Sequence, residues 1–281
     1  MRGKRKGVLG VALVVAGLAV APSAHAAAAP SVESAFSAPG PAGVTQRRVT
    51  SGAGLSYTLF LPADLTTDGF RNPVITWGNG SETSCATYSG LLGHLASWGF
   101  AVVCADSNQV GYGFELWEGA LTMIAANANP ADPLHDQLDT DHIGAAGHSQ
   151  GATGALNATV LGEGTITSTL ALAFVDPFWH KPQDQLPDLT RVTTPVLLLS
   201  GKSDPLTSQQ AAYLKQLRVP AAKAARVGAD HEHVPATATG YATAWFLHTL
   251  RGDPRAAAAF TGPTPEIARN PDWTDWSSTL G

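Results

Sequence analysis

The sequence predicts an α/β domain built on a mostly parallel, doubly wound sheet, and two observations lead there. Short apolar, β-rich runs alternate with helix-like segments along most of the chain. A serine between glycines, Ser149 in "GHSQG", falls where one such run ends and a helical stretch begins. Strands that alternate with helices form parallel sheets covered on both faces, because each crossover carries its helix back over the sheet.

The chain opens "MRGKRKGVLGVALVVAGLAVAPSAHA". Arg2, Lys4, Arg5 and Lys6 form a basic region, an apolar run covers 8–20, and "AHA" offers small residues for cleavage after Ala26. This is the pattern of a secretory signal peptide; the apolar run is too short for a comfortable membrane anchor. Residues 27–43 are rich in Ala, Pro and Ser and read as a flexible lead-in. A single catalytic domain is expected over 44–281.

Within that domain, strands are predicted at 55–62, 73–78, 100–106, 143–147, 170–176, 195–201 and 224–229. Helices are predicted at 87–98, 114–128, 150–161, 207–218 and 238–250. Between the strands at 170–176 and 195–201, Pro177, Pro182 and Pro187 predict an ordered loop rather than a helical lid. No large lid domain is therefore expected, and the site should be an open groove.

The whole chain carries 17 basic and 22 acidic residues, a net charge of −5. Without residues 1–26 the balance becomes 13 against 22, or −9. Beyond residue 26 an acidic chain with no Lys/Arg cluster argues against nucleic acid and anionic membrane as main partners. Cys85 and Cys104 are the only cysteines. In an exported protein such a pair reads as one disulfide, with two buried thiols as the alternative. Both lie near the carboxyl ends of strands expected to be neighbours.

A bare G-x-S-x-G carries little weight in a chain with 29 glycines. Its placement between "HIGAAG" and "QGATGALNATVL" carries more, because a nucleophile elbow needs a strand on one side and a helix on the other. The alternative is a plain Gly-rich turn. A serine hydroxyl becomes a useful nucleophile only with a base to take its proton and a carboxylate to orient that base. In this architecture the chain order is Ser, then Asp or Glu, then His. Asp204 in "LLLSGKSDPLT" and His231 in "RVGADHEHV" follow strands at the same sheet edge. Asp176 is the rival acid and His233 the rival base. "DHEH" also admits a metal reading, but no second cluster has ligand spacing, so neither metal nor cofactor is expected. The oxyanion donors predicted are the backbone N–H groups of Gln150, which opens a helix, and Asn79 in "WGNG".

These residues resemble exported α/β-hydrolases of the cutinase-like polyester hydrolase group. That group reads P-G-aromatic-T, G-H-S-M-G-G, P-W-H and G-A-S-H where this chain has "WGNG" (77–80), "GHSQGA" (147–152), "PFWH" (177–180) and "GADH" (228–231). The likeness runs from about Leu55 to Gly252 and implies Ser149, Asp204 and His231 as nucleophile, acid and base. Three differences stand out. Asn79 replaces the aromatic that clamps substrate against a tryptophan, Phe178 is inserted beside Trp179, and Gln150 replaces methionine. The group's C-terminal disulfide is absent as well. Phe178 and Trp179 are expected to line the substrate groove.

The expectation is a secreted, monomeric serine ester hydrolase acting on carboxylic esters, small or polymeric, through an acyl-enzyme. A secreted serine peptidase, a non-catalytic binding protein on the same scaffold, and a metal-dependent hydrolase are the competing classes.

Overall fold

Successive residues of a strand face opposite sides of a sheet, so a short run that is apolar throughout must be covered on both faces. Such runs form the middle of a nine-stranded sheet in the computed structural model, which describes residues 31–65 and 71–280 together with Gly3. The strands are β1 (Val44–Thr50), β2 (Ser56–Pro62), β3 (Asn72–Gly78), β4 (Ala101–Ala105), β5 (Leu138–His148), β6 (Ser168–Leu172), β7 (Val196–Gly201), β8 (Ala221–Arg226) and β9 (Trp273–Ser278). Their spatial order is β1-β2-β4-β3-β5-β6-β7-β8-β9. From β4 to β8 all neighbours are parallel. The flanking pairs β1/β2, β2/β4 and β8/β9 are antiparallel.

The helices are α1 (Val32–Ser37), α2 (Ser89–Ser97), α3 (Phe114–Ala128), α4 (Gln150–Leu161), α5 (Gln210–Gln216), α6 (Val234–Thr237), α7 (Thr239–Arg251) and α8 (Pro254–Ala257). Alternation along single strands assigns them to layers. In β4, Val102 and Cys104 join a core with Leu92 and Leu95 of α2 and Phe246 of α7. Ala101 and Val103 face the other way, onto Leu116 and Met123 of α3. In β7, Leu197 and Leu199 face the α7 side, and Leu198 packs with Leu214 of α5. The sheet is doubly wound, and the parallel strands all deliver their carboxyl ends to one edge.

Helices α3 and α4 have the predicted bounds, and the remaining elements shift for identifiable reasons. The apolar run at 170–176 leaves the sheet after Leu172, because Ala173 adopts a φ of 49°. Phe174 then packs on Tyr213, with ring centroids 4.6 Å apart. Strand β8 spans 221–226 rather than 224–229, and the turn after it contains Gly228 at φ 77°. The edge strands β1 and β9 escaped the reading. An edge strand needs no continuous apolar run, and "VTQRRVT" is mostly exposed.

The flexible lead-in expected over 27–43 needs correction for residues 31–43. Ser31 caps α1 through Ser34 N–H, and Phe36 is buried edge-on against Trp98. Glu33 is held by Arg226, Asn270 and the Trp273 indole N–H. The helix is ordered by contacts with chain 193 to 240 residues away, which no local reading of an Ala/Pro-rich stretch detects. The signal peptide predicted at 1–26 lies outside the described residues, Gly3 apart. No described helix is long and apolar enough to cross a membrane.

Cys85 and Cys104 form a disulfide that ties the connection between β3 and α2 to the carboxyl end of β4, with Cα atoms 6.0 Å apart. In the chain-entropy model a loop of this size adds about 3 kcal/mol of stability. The segment 176–194 contains only three single 3₁₀ turns, at Pro177–Trp179, Gln183–Gln185 and Leu189–Arg191, so no helical lid stands there.

Candidate active site

Ser149 follows the last residue of β5 and precedes the first of α4. Its backbone sits at φ 57°, ψ −118°, a conformation that L-residues rarely adopt. Two glycines make the turn possible. A Cβ at Gly147 would lie 2.2 Å from the Gly151 carbonyl oxygen, and one at Gly151 would lie 1.9 Å from that of Gly78. The elbow is therefore pressed against the loop after β3.

The three side chains singled out in the sequence meet. His231 Nε2 lies 2.9 Å from Ser149 Oγ, and His231 Nδ1 lies 2.7 Å from Asp204 Oδ2. Because β5, β7 and β8 are parallel, the loops that follow them emerge at one edge, and these loops carry the three residues. Asp204 is buried, and its Oδ1 accepts the Leu206 N–H at 2.8 Å. A carboxylate only accepts, so Nδ1 of His231 carries the proton. Nε2 then presents its lone pair to the serine hydroxyl. The arrangement can move a proton from Ser149 Oγ to His231 while Asp204 stabilises the imidazolium.

The rivals have other partners. Asp176 accepts from Gln209 N–H at 2.8 Å, from Ser208 N–H at 3.0 Å and from the Ser208 hydroxyl. It caps the approach to α5. His233 is exposed and pairs with Asp230 at 2.6 Å, which lowers the Asp230 pKa. No group of three or more His, Cys, Asp or Glu side chains among the described residues is gathered to hold a metal ion.

Gln150 is the first residue of α4, and a helix leaves its first N–H groups without intrahelical acceptors. Its side chain turns aside, with Oε1 accepting the Val110 N–H at 3.1 Å. Asn79 directly follows β3 and is fully buried. Its Nδ2 donates to the carbonyls of Ala105 (2.8 Å) and Ser107 (3.0 Å), pinning the loop after β4. The Asn79 side chain thus points into the protein and is not part of the cleft wall at Ser149.

A cleft of about 290 Å³ opens at Ser149, and its walls include Ser81, Thr153, Trp179, Lys181 and Leu206. Trp179 lines it directly. Phe178 is 71 % exposed and stands edge-on to Trp179, at 5.1 Å, on the rim rather than in the wall.

One residue of the motif drew no attention in the sequence. His148, 2 % exposed, lies between Tyr88 and the backbone of His231: its Nδ1 is 2.9 Å from the Tyr88 hydroxyl and its Nε2 is 2.9 Å from the His231 carbonyl oxygen. Burial, with the charge of His231 behind it, pushes its pKa down to about 4 from the ordinary 6.5. The unfolded chain therefore binds this proton more readily, and the native state loses stability as pH falls from about 6.5 towards 4. The expected contribution is about 3 kcal/mol. Urea unfolding of wild type and His148→Phe across that window should show a flatter pH dependence in the variant. Equal slopes would refute the assignment.

A family model described as PET hydrolase-like matches residues 19–267. No curated protein matches the chain.

Proposed function

Since the chain belongs to the PET hydrolase-like family, and so to the ester hydrolases, we propose that it cleaves carboxylic esters through a serine acyl-enzyme after export from the cell. Ser149 Oγ attacks the ester carbonyl as His231 Nε2 takes its proton. Asp204 holds the ring and stabilises the resulting imidazolium. The N–H groups of Gln150 and Asn79 hold the oxyanion, which is where fixed donors lower the barrier most. His231 then protonates the departing alcohol, and in the second half-reaction activates water to release the acid. The observation that carries this reading is the continuous contact from Asp204 through His231 to Ser149.

A fluorophosphonate probe tests it. One phosphonyl group per chain should be found on Ser149 by peptide mass analysis; absence of label, or label on another residue, would overturn the reading. Export is supported by the leader sequence over 1–26 and by a disulfide, which oxidising compartments favour. The mature N-terminus in culture supernatant should be Ala27.

The cleft accommodates one small acyl or aryl unit, with Trp179 as one wall and Phe178 on the rim to meet the rest of a polymer or bulky alcohol. Among p-nitrophenyl esters, acetyl and butyryl should give higher kcat/KM than dodecanoyl and longer chains. A rate that rises steadily with chain length would refute a cleft of this size as the acyl site.

A further inference from the structure

We propose that Tyr88 and His148 are positioning residues that tie the loop carrying the oxyanion donor to the backbone of the general base, so that both halves of the catalytic apparatus move as one unit. The proposal rests on the Ser149–His231–Asp204 reading and concerns residues outside it.

The hydrogen-bond directions follow from what each atom can do. The His231 carbonyl only accepts, so His148 Nε2 carries the proton and donates to it at 2.9 Å. His148 Nδ1 then holds a lone pair, and the Tyr88 hydroxyl donates to it at 2.9 Å. With its only proton committed, the Tyr88 oxygen accepts the Gly80 N–H at 3.1 Å. Thr83 closes the turn by donating its hydroxyl to the Gly80 carbonyl at 2.8 Å. The chain of bonds thus runs from Gly80, next to Asn79, through Tyr88 and His148 to the main chain of His231.

Its anchors are firm. His148 ends the central strand β5, and Tyr88 immediately precedes α2, packed on Trp77 of β3 with ring centroids 5.0 Å apart. Both are almost fully buried. Gly80 is required for the fit, because a Cβ there would lie 2.8 Å from the Tyr88 oxygen and 3.2 Å from His148 Nδ1. Tyr88 and the His231 carbonyl select the same tautomer from opposite sides of the ring; without the Tyr88 hydroxyl, Nδ1 is left with an unpaired lone pair and the ring loses the contact that fixes its position. A general base works only within narrow distance limits, so loosening its backbone should slow proton transfer more than it weakens binding.

The test compares Tyr88→Phe, His148→Phe and the double variant with wild type on p-nitrophenyl acetate, with kcat expressed per site titrated by the fluorophosphonate. Tyr88→Phe should lose about tenfold in kcat with KM within twofold; its unfolding midpoint should fall, because Gly80 N–H and His148 Nδ1 lose a buried partner, but stay above the assay temperature. The double variant should lose clearly less than the product of the single losses. Wild-type kcat in Tyr88→Phe, or losses that multiply, would overturn the coupling. If the histidine variants fail to fold, the phosphonylation rate of Tyr88→Phe decides: a rate equal to wild type sinks the proposal. Failure to label Ser149 even in wild type would instead indict the triad.

Discussion

Ser149→Ala is expected to remove essentially all esterase turnover, on the order of 10⁵-fold or more in kcat, while the protein remains folded. The size follows from the chemistry. Without Oγ no acyl-enzyme forms, and the remaining donors can only polarise an ester towards attack by water. The preserved fold follows from the local geometry. Serine already places a Cβ on a backbone at φ 57°, so alanine brings no new strain. The hydroxyl's partner, His231, keeps 13 % of its side chain exposed rather than lying in the core, and water can replace the lost contact. The measurement is kcat on p-nitrophenyl butyrate beside a thermal unfolding curve. A folded variant with more than about a tenth of wild-type activity would end the acyl-enzyme reading.

The legible parts of this protein are those where one residue type and its position along the chain decide the outcome. Ser149, Asp204 and His231 each stand just beyond an apolar strand, and parallel strands bring the loops beyond them to one edge whatever fills the helices between. The elbow was legible for the same reason, since at Gly147 and Gly151 an added Cβ would fall 2.2 and 1.9 Å from a carbonyl oxygen and only glycine fits. What escaped depends on side-chain direction. "TSCATYSG" says nothing of a tyrosine hydroxyl aimed at His148. Nor does "WGNG" reveal that Asn79 turns inward to hold Ala105 and Ser107. Helix α1 escaped because its order comes from Glu33 and Phe36 meeting residues far along the chain, while its neighbours look like linker. The Phe178–Trp179 pair fell between the two cases: its nearness to the cleft was legible, but which ring forms the wall was decided by the 3₁₀ turn that carries them.

The choice between the two candidate acids yields the second large effect. Asp204→Asn should lower kcat by about 10⁴-fold at neutral pH with little change in stability. An amide offers both an oxygen and an N–H₂ at the place of the carboxylate. When the N–H₂ faces His231 it selects the tautomer with the proton on Nε2, which cannot accept from Ser149. When the oxygen faces it, the imidazolium formed during attack still lacks a counter-charge in a buried site. Asp176→Asn should behave in the opposite way. Its carboxylate receives two backbone N–H groups and the Ser208 hydroxyl, and no imidazole donates to it. Replacing one of its oxygens by N–H₂ sets donor against donor, at a cost of about 1–3 kcal/mol of stability, while kcat stays within a few fold of wild type. Activity and denaturation curves on the two variants separate the roles cleanly. An Asp176→Asn protein that is folded yet slower than Asp204→Asn would transfer the catalytic carboxylate to the loop after β6, and with it the orientation of His231 inferred from a 2.7 Å contact.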